Sequence, residues 1–213
     1  MSALRFSSLI ILFPILFAAC GRSELIRIRM LAPVTEDKKD YAIFTDTKSS
    51  STPVIINKNV GGSLYILLKS IGLGYTTITT KMEKKTDTDH TEKTTLVTNF
   101  TDVAFGIGEN YSFMWGAGVL SGGKRETSLE YGEAAPFNPK HNYLGGHSIF
   151  FVLGHHGFGF ETLLGYRTNF IKAEFEESDL PTTVGKTDKE FTYESNKINL
   201  TTSQVQLGIG FTF

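Results

Sequence analysis

Ser203-Gln-Val-Gln-Leu-Gly-Ile-Gly-Phe-Thr-Phe213 separates an oily face from a polar one with a period of two. Val205, Leu207, Ile209, Phe211 and Phe213 project one way, and Gln204, Gln206, Gly208, Gly210 and Thr212 project the other, as successive side chains of a strand must. In a soluble sandwich the oily face meets a second sheet. A closed barrel in lipid reverses the arrangement, with apolar residues outward and small or polar ones inward.

The same alternation recurs upstream. Strand-like segments rich in Gly and aromatics span residues 63–80, 95–108, 111–120, 146–154, 158–175 and 191–213. Within 158–170, Phe158, Phe160, Leu164, Tyr166 and Phe170 share a face with Thr162 and Thr168. Gly159, Glu161, Gly165, Arg167 and Asn169 share the other with Leu163. A charge facing lipid at mid-depth costs roughly 2–4 kcal/mol, so Glu161 and Arg167 are expected to point inward. Likewise Val103, Phe105 and Ile107 oppose Asp102, Ala104 and Gly106, and Tyr111, Phe113, Trp115 and Val119 oppose Ser112, Met114, Gly116 and Gly118. The polar residues expected in the lumen are Asp102, Glu161, Arg167, Gln204 and Gln206. Gly-x-Gly steps at Gly72/Gly74, Gly106/Gly108, Gly116/Gly118, Gly157/Gly159 and Gly208/Gly210 fit an interior with little room. No helical period follows any of them, which excludes a dinucleotide-binding turn.

Between the strand-like segments lie three long polar connections, 81–94, 121–145 and 176–190, and two tight ones, Glu109-Asn110 and His155-His156-Gly157. Long loops on one side and short turns on the other suit a barrel traced from a periplasmic start, with both termini in the periplasm. Two features conflict with this. Lys69 is in phase with Ile71, Leu73 and Tyr75 and so would face lipid unless it snorkels or a bulge shifts the register. Six segments also fall short of the usual minimum of about eight strands. A missing pair can lie upstream, where Ile26, Ile28 and Met30 alternate with Arg27 and Arg29 and where 41–45 and 54–56 are further candidates. Otherwise a strand is hidden around 127–131. Residues 48–52 read as linker.

The N-terminus carries Arg5, the apolar run Leu9 to Phe17 and then Ala18-Ala19, a secretory signal too short to span a bilayer. Phe17-Ala18-Ala19-Cys20 resembles a bacterial lipobox of the looser spirochaete type, which makes Cys20 the expected lipidation site. Cys20 is the single cysteine, so no disulfide forms within the chain. The formal net charge is −1, with no clustered basic face of the kind nucleic acid requires. The expected division is a signal peptide over 1–19, a lipidated segment, linker or first strand pair over 20–60, and the barrel over 61–213.

With these features the chain resembles the small bacterial outer-membrane β-barrels of the OmpX and OmpW type, and a spirochaete-type outer-membrane lipoprotein. The resemblance covers 61–213 by pattern rather than by a diagnostic motif. It implies an all-β, antiparallel transmembrane barrel, most simply of eight strands, in the bacterial outer membrane, with lipid as its surroundings. It also implies that the terminal Phe211 and Phe213 are read by the barrel-assembly machinery.

The chemistry-bearing residues do not form a motif. His155-His156 could ligate a metal with His141 or His147, but adjacent strand residues face opposite ways, so a solvated turn is the simpler reading. Glu161 and Arg167 lie roughly 20 Å apart along one strand and need partners from adjacent strands, such as Asp102 or Gln206. An enzyme acting on lipid A would need a nucleophile and base, for which Ser121, Ser128 and Ser148 have His141 and His147 nearby in sequence. The expectation is a non-enzymatic protein without cofactor or metal, whose loops, such as 81–93, meet an extracellular ligand. A narrow pore and a lipocalin-like, periplasm-facing ligand carrier are the alternatives.

Overall fold

The computed structural model describes residues 26–35, 44–46, 54–87, 90–131, 141–157, 159–175, 191–193 and 197–213. The signal segment, Cys20, residues 48–52 and the whole 176–190 connection lie outside them. The strands are β1 (Ile26–Pro33), β2 (Phe44–Asp46), β3 (Val54–Leu68), β4 (Ile71–Asp87), β5 (His90–Gly108), β6 (Tyr111–Tyr131), β7 (His141–Gly157), β8 (Phe160–Phe175), β9 (Phe191–Tyr193) and β10 (Lys197–Thr212). Eight of them close an antiparallel barrel in the order β1-β10-β8-β7-β6-β5-β4-β3, and β2 pairs with β9 in a separate two-stranded sheet. The seam between first and last strands is sealed where Ile26 and Phe213 exchange backbone bonds of 3.2 and 2.9 Å.

The faces follow the sequence period. Leu207 and Ile209 are 52% and 44% exposed on the outer surface, whereas Gln204 and Gln206 are buried. Leu64, Ile66, Leu68, Ile71 and Leu73 continue this outward apolar belt on β3 and β4, and Ile149, Phe151 and Leu153 do so on β7.

Residues 63–80, expected as one strand, are two. The chain reverses between Leu68 and Ile71, with Lys69 at φ 58, so Lys69 is a turn residue and its conflict with the lipid face disappears. The turn went unseen because it contains neither Gly nor Pro. Across it the inward phase passes from Tyr65 and Leu67 to Gly72 and Thr76. The other turns at this end join Gly108 to Tyr111 and Gly157 to Phe160. Gly108 has φ +92, and a Cβ there would collide with the Tyr111 carbonyl, so the first of these requires glycine. The step Gly157/Gly159 belongs to the second turn rather than to the lumen.

At the opposite end, the described residues of two expected long loops, 81–94 and 121–145, are strand. Residues 81–94 form a hairpin with β4 running to Asp87 and β5 starting at His90, and β6 extends to Tyr131. Polar composition suggested loop because strands that face water on the outside have no need of apolar outward residues. The register of β6 shifts opposite Asn99 and Phe100, where Ser121 is the extra residue. This bulge changes the phase, so that Arg125 and Thr127 turn inward although Ser121 and Val119 are exposed. β6 pairs with β7 only from Tyr111↔His155 to Val119↔His147. Beyond that level the wall divides into β3 to β6 on one side and β7, β8 and β10 on the other.

Candidate functional site: the filled barrel interior

All five polar residues expected in the lumen are buried inside the barrel, and two of them anchor a stack of charged and apolar layers. Nearest the short-turn end, Arg29 on β1 grips Glu161 on β8. Its Nε donates to Oε2 at 2.8 Å and its Nη2 to Oε1 at 2.8 Å, a forked geometry that matches guanidinium to carboxylate. Ser112 on β6 accepts from Arg29 Nη2 at 2.7 Å and donates to Glu161 Oε1 at 3.1 Å. Arg29, Ser112 and Glu161 are all buried, so the pair neutralises itself in the interior. The space that allows it comes from Gly210, where a Cβ would lie 2.6 Å from Glu161 Oε2 and 3.2 Å from Arg29 Cγ.

Next in the stack is an apolar layer of Leu31, Tyr65, Leu67, Ala104, Met114, Phe150, Val152 and Leu163. It leads to the second charged layer, centred on Arg167, whose side chain has 0% exposure. Arg167 Nη1 donates to Asp102 Oδ2 at 2.8 Å and Nη2 to Asp102 Oδ1 at 2.9 Å, spanning from β8 to β5. The remaining donors reach Asn169 Oδ1 at 2.9 Å, Thr76 Oγ1 at 3.0 Å, Tyr65 Oη at 3.2 Å and Ser148 Oγ at 2.5 Å. Thr76 in turn donates to Asp102 Oδ2 at 2.7 Å. The guanidinium lies against two rings, with Phe100 at 4.8 Å and Phe150 at 5.3 Å from its central carbon. Every N–H of the group is thereby used, and both carboxylate oxygens are engaged. A second apolar layer follows, Met82, Leu96, Phe100, Ile171 and Leu200.

Beyond it, in the strand extensions, Thr94 and Thr127 share a hydrogen bond of 3.1 Å. Burial pushes the nearby Arg125 guanidinium down to about 10, with Glu92 opposing the shift, so it keeps its charge at neutral pH. Gln206 reaches Ser63 Oγ at 3.4 Å, while the amide of the buried Gln204 makes no hydrogen bond among the described residues.

Of the two partners expected from adjacent strands for Glu161 and Arg167, Asp102 pairs with Arg167, but it reaches across the lumen from β5, which is not adjacent to β8. Glu161 instead uses Arg29, a residue noted only as part of a strand pattern. Its role depends on closure of the barrel, which brings β1 beside β10 and within reach of β8. Tyr65 and Thr76 were missed because the turn at Lys69 hid the phase of β3 against β4.

Among the described side chains, Ser121, Ser148 and His147 do not assemble a nucleophile and base. Ser148 is inside, bound to Arg167, while the adjacent His147 is outside, stacked on Phe170 at 5.0 Å. Ser121 is exposed and donates to the Asn99 carbonyl at 3.2 Å. His155 stacks on Tyr111 at 4.7 Å on the outer face, and His156 occupies the opposite face, opposite Glu161 in register. No cluster of three or more potential metal ligands occurs among the described residues. The side chains of His90 and His141 lie outside them.

No protein-family model matches this chain, and no curated protein does. Among solved structures it is similar to the outer membrane protein OprG from Pseudomonas aeruginosa, with a TM-score of 0.43 and 10% identity over 91% of this chain and 97% of that one.

Proposed function

We propose that the protein is a non-enzymatic outer-membrane barrel whose strand extensions and loops present a rigid surface outside the cell. The observation that carries this reading is the inversion of the fold: a continuous apolar belt faces out, and two self-neutralised ion pairs face in. A soluble barrel of lipocalin type would place its aliphatic residues around a ligand, whereas here Leu73 is 67% exposed on the outside and Arg167 fills the middle. Such a belt is stable only against hydrocarbon.

The layers of the interior favour display over conduction. Tyr65, Phe100, Phe150 and Arg167 are packed across the lumen, with apolar layers on both sides of the charged one. In planar bilayers the protein is expected to show no steady conductance, and a reproducible open level would favour the pore instead. The short turns at one end support an orientation with that end and both termini in the periplasm and the extensions outside. Cys20 acylation would then tether the same periplasmic side.

The reading predicts that the protein is recovered only with detergent and migrates faster on gels before boiling than after. Recovery in the aqueous fraction without detergent, from protein lacking the acyl group, would return the assignment to a ligand carrier. Phe213, 71% exposed at the end of β10, is the proposed contact for the assembly machinery. Deleting it is expected to lower the amount of heat-modifiable barrel in the membrane several-fold while leaving refolding in detergent near normal. Equal losses in both settings would mean that Phe213 serves the fold alone.

A further inference from the structure

Lys58 and Lys81 are directly opposite one another on β3 and β4, and both side chains are exposed on the outer face. Like charges directly opposite in an antiparallel pair repel, so such a placement calls for an anion. The neighbouring carboxylates are already engaged: Glu83 binds Lys85 at 3.1 Å, and Glu126 binds Lys124 at 2.9 Å. Among the described residues no carboxylate lies within ion-pair distance of Lys58 or Lys81.

Their height on the barrel selects the kind of anion. Lys58 is about ten residues along β3 from Leu68, which at roughly 3.3 Å per residue and a tilt near 45° puts it about 23 Å above the lower edge of the belt. An apolar band is about 25 Å tall, so the two ammonium groups stand at its outer rim. Val60, exposed two residues below Lys58, belongs to the top of the belt, and Ile56 is exposed two residues above it. Apolar flanks around paired cations suit a ligand that carries phosphate at its head and acyl chains below.

We propose that Lys58 and Lys81 bind a phosphate-bearing headgroup of the lipid surrounding the barrel. The proposal rests on the membrane reading above and adds a specific lipid contact to it. Attraction of juxtamembrane lysines to anionic lipid is a general effect, and removing two of them should weaken retention of such a lipid about 30-fold.

The test uses the full-length protein in detergent micelles doped with either dioleoyl phosphatidic acid or dioleoyl phosphatidylcholine, with retained lipid counted by native mass spectrometry. Wild type is expected to retain phosphatidic acid in preference to phosphatidylcholine. Lys58→Gln/Lys81→Gln should lose the preference, and Lys58→Arg/Lys81→Arg should keep it. Lys85→Gln/Lys124→Gln, which alters already paired lysines, should also keep it. Equal retention by the Gln double variant, or equal loss in the control pair, overturns the site. Displacement of the lipid by millimolar inorganic phosphate also overturns it, since the anion would then be a soluble one. A heat-modifiable barrel without any lipid preference disposes of this proposal and leaves the membrane reading standing. A protein that does not partition into detergent sinks both.

Discussion

Asp102→Ala is expected to destabilise the barrel by about 3–5 kcal/mol, because it strands the Arg167 guanidinium in an interior with no other carboxylate at its level. The hydroxyls of Thr76 and Ser148 and the Asn169 amide would still bond Arg167, but none carries the compensating charge. The rings of Phe100 and Phe150 offset only part of the loss. Arg167→Met alone should cost a similar amount by leaving Asp102 ionised and buried. The double change Asp102→Leu/Arg167→Met removes both charges from a layer already bounded by apolar neighbours, and it is expected to recover most of the stability. Urea unfolding in lipid vesicles compares these proteins, and Asp102→Leu alone closes the cycle that measures the coupling. If Asp102→Ala unfolds at the wild-type midpoint, the pair is reached by water and the interior is not sealed at this level.

What sequence reveals of such a barrel depends on whether a segment meets hydrocarbon. On β8 and β10 one face is in the belt and the other in the lumen, so the two-residue period of Phe160 to Phe170 and of Val205 to Phe211 assigned every inward side chain, including Arg167, Glu161 and both glutamines. On the extensions the outer face meets water, the contrast between faces fades, and 81–94 and 121–131 look like loop although most of their described residues are paired. β1 was visible only as alternating Ile and Arg. The meaning of Arg29 emerges from the closing seam, where β1 pairs with β10 at one edge and β3 at the other. Pairings across the lumen join residues far apart in sequence, 132 positions for Arg29 and Glu161 and 65 for Arg167 and Asp102. Period along one strand fixes only a side chain's face. Its partner depends on strand order and stagger, which the bulge at Ser121 and the unmarked turn at Lys69 both altered.

The outer face can be tested as directly as the inner one. Leu207, Leu164, Leu153 and Phe113 form one row across β10, β8, β7 and β6, each opposite the next in register and each exposed. Leu164, four residues into β8, lies inside the belt, so Leu164→Arg places a guanidinium in hydrocarbon without disturbing any lumen contact. The expected cost is roughly 2–4 kcal/mol, the depth-dependent penalty for a cation near the bilayer midplane. It should appear as a lower urea midpoint in vesicles and a smaller heat-modifiable fraction. Asn199→Arg supplies the control, because Asn199 is exposed on β10 in the extension and an arginine there stays in water. Lys172 lies directly opposite on β8 and repels the added charge, so the stability of this variant should fall by no more than about 1 kcal/mol, well short of the loss in the belt. The comparison is informative because both changes add the same cationic side chain to the outer face of neighbouring strands, so the added charge is common to both. Should Leu164→Arg prove as stable as Asn199→Arg, the row of leucines faces water in the native protein, and the belt would have to be covered by another protein rather than by lipid.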